Sequence, residues 1–149
     1  MNKMTKSIIT AAFSVAALSL TACANTSLHP TNAQKPVQEL SGNWQITALT
    51  GEPTPNNKSR LSFDASNHTY QAYFGCNHFN GSYEIKQQQL KLGTAAGTMM
   101  MCENIEDERT GTGTLQFVRQ WRIVNQDNKT QLQLLDEQNR VRVTAIPAK

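Results

Sequence analysis

The sequence predicts a mainly β domain of the α+β class: a curled antiparallel sheet or partly open β-barrel carrying one helix. Short runs of alternating apolar and polar residues recur at roughly ten-residue spacing from Trp44 to Ile146, with Gly-, Pro-, Asn- and Asp-rich turns between them. That is the pattern of strands buried on one face. One segment breaks it. Between Cys102 and Trp121, ENIEDERTGTGTLQFVRQ is acidic at its start and carries Arg119 near its end, the polarity that a helix macrodipole favours.

Trp44 and Ile46 alternate with Gln45 and Thr47 in the first strand, and GEPTPNNKSR (Gly51 to Arg60) follows as a loop. Leu61-Ser62-Phe63 and His68 to Phe74 alternate in the same way. Asn80-Gly81 is a turn signal, a dipeptide that favours positive φ. Beyond it, Ser82 to Ile85 and Gln89 to Leu92 each place apolar side chains on one face, and Tyr83 is expected to point inward with its hydroxyl partnered. Gly111 and Gly113 each cost about 1 kcal/mol inside a helix, so the helix between Cys102 and Trp121 is expected to be interrupted there or confined to its ends. Trp121 to Val124, Gln131 to Leu134 and Val141 to Ile146 complete the strands, the last two joined by a polar turn from Asp136 to Arg140.

The first 39 residues read differently. Lys3 and Lys6 precede an uncharged run of thirteen residues, Ile8 to Leu20, too short for the span of about 20 that crosses a bilayer but right for a secretory signal. Leu20-Thr21-Ala22-Cys23 resembles the lipobox of bacterial lipoproteins, in which the cysteine becomes the first mature residue and carries acyl groups. The resemblance implies a signal peptide over residues 1–22, lipidation at Cys23, a tether over residues 23–39 rich in proline and small polar residues, and a folded domain over residues 40–149. Ala24, in place of the aspartate that marks inner-membrane retention, implies the periplasmic side of the outer membrane.

Charge is uninformative. The net charge of +3 includes Lys3 and Lys6, and their removal leaves +1. No basic run or interleaved aromatic stripe points to nucleic acid. The expected partners are the membrane, through the lipid, and an apolar ligand or another envelope protein.

FGCNHFNGSYEI (Phe74 to Ile85) and GTMMMC (Gly97 to Cys102) resemble two motifs of the META domain family, in its HslJ-type heat-shock lipoprotein branch. The motif positions are Gly75, Cys76, Asn77, Gly81, Tyr83, Thr98, Met99 and Cys102, and the second motif is expected to be a strand that leads into an acidic helix. The resemblance implies a partly open barrel with one helix, a link to envelope stress or antibiotic tolerance, and no particular reaction. The architecture also resembles lipid-binding pilot proteins of outer-membrane secretins, which implies binding in place of catalysis.

With Cys23 lipidated, Cys76 and Cys102 are the remaining thiols, 26 positions apart. An oxidising compartment favours a disulfide between them; two reduced thiols, or a thiolate–imidazole metal set with His78 and His68, are the alternatives. Met99-Met100-Met101 raises a copper reading, since thioethers select Cu(I). On a strand, however, Met100 would point away from its neighbours, and core packing is the expectation. No nucleophile elbow, phosphate loop or HExxH motif occurs, so no enzyme activity, cofactor or metal is expected. Glu103, Glu106, Asp107 and Glu108 fit a helix start better than acid–base work. The anchor is testable by intact mass: the mature wild-type chain should begin at Cys23 with added acyl mass. Cys23→Ser should remove that mass; a wild-type chain without it would refute the anchor.

Overall fold

A computed structural model describes residues 39–54, 57–103, 105–126 and 128–149; Cys23, the leader and nearly all of the tether lie outside them. The elements are β1 (Gly42–Leu49), β2 (Glu52–Pro53), β3 (Arg60–Asp64), β4 (Thr69–Tyr73), β5 (His78–Lys86), β6 (Gln89–Gly97), α1 (Glu106–Leu115), β7 (Gln120–Gln126), β8 (Lys129–Leu135) and β9 (Val141–Pro147). The nine strands form one antiparallel sheet in the order β2-β1-β3-β4-β5-β6-β7-β8-β9, and β9 also pairs with β1. The sheet therefore curls until its long first and last strands meet, as the alternation predicts.

The inward-facing set is the alternating one. Trp44, Ile46, Leu61, Phe63, Tyr70, Ala72, Leu132, Leu134, Val143 and Ala145 are all buried in one cluster. Tyr83 is 3% exposed, its hydroxyl donates to the Leu40 carbonyl at 3.2 Å, and its ring meets Phe63 edge-on at 5.3 Å. Burial raises the pKa of its phenol, with Glu39 and Asp64 adding to the effect.

Two local expectations are corrected. Asn80-Gly81 is no turn; both residues lie inside β5, where Gly81 pairs with Tyr70 and Ala95. Gly81 is needed for space, not for positive φ. A Cβ there would stand 2.7 Å from Tyr70 Cε1. The actual turn falls at Gln87-Gln88, with Gln87 at φ 59°.

The helix, likewise, is not interrupted: α1 runs through both Gly111 and Gly113. Its buried residues, Glu108, Gly111, Thr114 and Leu115, lie on one face. A Cβ on Gly111 would come within 2.1 Å of the Phe74 ring, so this glycine is what lets the helix lie on the sheet. Packing outweighs the propensity cost. Arg119 lies beyond the last turn, yet its guanidinium donates to the carbonyl of the C-cap residue Gln116 at 2.8 Å, an acceptor that the ending helix leaves open, and to that of Val118 at 2.7 Å.

The β8–β9 turn is built around Asp136. This buried carboxylate accepts from the backbone N–H groups of Gln138 at 3.0 Å and Arg140 at 2.9 Å, from Arg140 Nε at 2.7 Å and from Arg142 Nε at 2.8 Å. Burial pushes its pKa up, but the bonds from Arg140 and Arg142 prevail and hold it down at about 2. A lowered native pKa stabilises the fold above the unfolded value and loses that contribution as pH falls through the native one. Melting temperature should therefore drop in the wild type between the ordinary value of 3.8 and about 2. Asp136→Asn, less stable at neutral pH, should show a flatter profile across that window. Tyr83→Ala should cost roughly 3–5 kcal/mol in denaturant unfolding, as large aromatic truncations in cores do.

Candidate functional site

Of the motif residues, Gly75, Cys76, Thr98 and Cys102 gather around Asn77, while Gly81 and Tyr83 pack in the sheet core and Met99 faces water. Chain reversal after β4 passes through Gly75 at φ 109°, a conformation open to glycine, which brings Cys76 and Asn77 under the helix. The Asn77 backbone N–H donates to Glu108 Oε2 at 2.6 Å, and its amide nitrogen donates to Glu108 Oε1 at 3.1 Å and the Met100 carbonyl at 3.4 Å. Its amide oxygen accepts from the Thr98 hydroxyl at 2.8 Å and the Met100 N–H at 2.7 Å. Asn77 and Glu108 are both buried. Cys76 and Cys102 form a disulfide with Cα atoms 6.0 Å apart. The cysteines lie in the segments that precede β5 and α1, so Cys102 is not on the strand expected of the second motif.

The two motifs are thus one lock that pins the segment after β6 to the start of β5 and to α1. Glu108 is the partner that sequence reasoning assigned only to a helix start. Its signal was the spacing Glu108 to Gly111, a carboxylate one turn before the glycine that permits close approach. Joined in the disulfide, Cys76 and Cys102 are not thiolates available to His78 or His68. His78 stacks on Tyr73 at 4.6 Å, and His68 lies beside the Tyr83 ring at 5.9 Å.

The methionines are corrected as well. β6 ends at Gly97, so residues 98–102 form no strand, and Met99 and Met101 are fully solvent-exposed, with Met100 half-exposed. The Met100 backbone is held by Asn77, and the side chains on either side are left facing water. Core packing does not describe them.

A second feature was not visible in the sequence. β6 pairs with β5 along its length, but with β7 only at Gln89↔Gln120. Beyond that bridge a cleft of about 1280 Å³ opens between β6 and the C-terminal half of α1. Leu90, Leu92, Ala95 and Phe79 form its apolar side, Leu115 faces them from the helix, and Lys86, Lys91 and Arg119 stand at its rim with Glu84 and Glu137. Tyr70, whose hydroxyl donates to the Gly93 carbonyl at 3.1 Å, reaches it from β4. The sheet closes where β9 meets β1 and stays open here.

The sequence profile of the META domain matches residues 37–148. The chain belongs to the META domain family. The matched range contains the whole Asn77 lock. A protein from Burkholderia xenovorans, solved by NMR, is similar to this META chain with a TM-score of 0.57 and 20% identity, over 73% of this chain and 83% of that one. A second NMR structure is similar with a TM-score of 0.52 and 19% identity, over 72% and 89%. At such identities the likeness establishes the fold alone. No curated protein matches the chain by sequence.

Two measurements check the lock. Without reductant, Cys76 and Cys102 should resist alkylation in the native protein, and reduction should lower stability by roughly 3–4 kcal/mol, the chain-entropy value for a loop of this size. Glu108→Ala should cost about 1–3 kcal/mol by leaving the buried Asn77 donors unpartnered.

Proposed function

We propose that the protein is an outer-membrane-anchored, HslJ-type META lipoprotein that supports envelope integrity under stress by binding an apolar or peptidic ligand. The cleft along β6 carries this reading. It is concave, floored by Leu90, Leu92, Ala95 and Leu115 and rimmed by charged side chains, the composition of a ligand site. The lipobox resemblance at Cys23 supports the anchor. The family's association with envelope stress supports the physiological role.

A second reading has its own observation. Met99 and Met101 are fully exposed, and Met100 and Ile105 partly so, on the segment between β6 and α1. Adaptable thioethers on a surface suit protein contacts, so a pilot-like accessory subunit would use this loop and not the cleft.

Titration of the purified chain with the apolar dye 1-N-phenylnaphthylamine should give saturable binding at one site. Leu92→Lys should abolish it while cooperative unfolding is retained. Absence of saturable binding in the wild type would remove the ligand-binding reading. In cells challenged with envelope stress, loss of survival from Leu92→Lys supports the cleft; loss from Met99→Ser with Met101→Ser, but not from Leu92→Lys, supports the accessory-subunit reading instead.

A further inference from the structure

The open side of β6 is a strand edge. After the Gln89↔Gln120 bridge, β7 runs away from the body of β6, with the Trp121 N–H donating to the Gln88 carbonyl at 3.0 Å. The remainder of β6 faces α1 across the cleft, with no strand between them among the described residues. Which backbone groups point into the gap follows from the ladder. The Leu90 N–H donates to the Arg119 carbonyl at 2.8 Å, so Leu90 turns its backbone towards the cleft, and strand alternation turns Leu92 the same way. Past the register shift opposite Ser82, the Thr98 N–H donates to the His78 carbonyl at 3.0 Å. Thr98 therefore faces β5, and Ala95 and Gly97, which alternate with it, face outward. Leu92 and Ala95 thus offer N–H and C=O groups to the cleft with no partner among the described residues, and Gly97 continues the same edge beyond the cleft lining.

We propose that this edge takes the C-terminal segment of a partner polypeptide as an added antiparallel strand, an inference that rests on reading the cleft as the ligand site. Free backbone donors and acceptors along an apolar groove are what β-strand addition uses, main-chain bonds supplying affinity and alternate side chains specificity. The direction is set by the bridge. β6 runs away from Gln89, so a strand antiparallel to it arrives at Gln89 with its C-terminus, and the Gln89↔Gln120 pair blocks continuation along the sheet. The charges at that end complement a terminal carboxylate. Lys86, Lys91 and Arg119 outnumber Glu84 and Glu137; Lys91 is 3.7 Å from Glu84, while Arg119 binds only carbonyls. Leu92 to Gly97 spans roughly 20 Å of strand, room for about six residues.

The probes are synthetic hexapeptides with Leu or Val at alternate positions, prepared as free acids, as C-terminal amides, and as free acids N-methylated at each position in turn. Their binding to the purified full chain is read by displacement of 1-N-phenylnaphthylamine. The free acid should displace the dye. Amidation should weaken it about tenfold, and Lys86→Gln should narrow the gap between acid and amide. N-methylation should weaken binding about tenfold at every second residue and leave the intervening ones unchanged, because only alternate N–H groups face β6. Dye binding with no displacement by any peptide, or displacement without that alternation, overturns strand addition while the apolar site stands. Absence of dye binding overturns both. Displacement with alternation but with equal affinity for acid and amide overturns the C-terminal assignment.

Discussion

Asn77 is the side chain on which the arrangement of this molecule depends. One buried amide, with its own backbone N–H, joins three pieces of chain distant in sequence: the start of β5, the segment after β6 and the first turns of α1. Glu108 supplies the opposing acceptors from inside the helix, and the disulfide from the neighbouring Cys76 to Cys102 ties the same pieces covalently. A buried polar network is costly when half satisfied and rigid when complete. Here both Asn77 amide atoms are bonded, and no buried side-chain polar atom is left without a partner among the described residues.

The lock also bears on the cleft, because both involve α1. The helix is held at its N-terminal half by Glu108, and Gly111 brings it onto Phe74. Its C-terminal half, with Thr112 and Leu115, forms one wall of the cleft and stands across from β6 in place of a paired strand. Glu108 and Gly111, which fasten the helix, do not themselves line the cleft. The family motif and the candidate binding surface are separate sets of residues with one connecting element.

The methionine run shows how the same lock shapes the surface. Met100 is fixed by its backbone N–H and carbonyl, and with no strand partner on either side Met99 and Met101 are left in solvent. Apolar residues beside a cysteine read as core because composition is blind to whether a segment pairs. Asn80-Gly81 misled for a related reason: the dipeptide permits a turn but does not require one, and the ring of Tyr70 needed a residue without a Cβ at that place.

Alternation alone determined most of the sheet. Trp44 and Ile46, Leu61 and Phe63, Tyr70 and Ala72, Leu132 and Leu134 face inward because a strand turns every second side chain to one face and water excludes the apolar set. Two spaced motifs also sufficed to indicate the META family, and Cys76 and Cys102 stood out as the favoured disulfide pair. The partner of Asn77, the uninterrupted helix through Gly111 and Gly113, and the cleft beside β6 were decided only in three dimensions. Each depends on contacts between residues remote in sequence: Glu108 lies 31 positions from Asn77, and the cleft exists because β7 leaves β6 after a single bridge. Local pattern reports which face of a strand is buried; it carries no information on where neighbouring strands part.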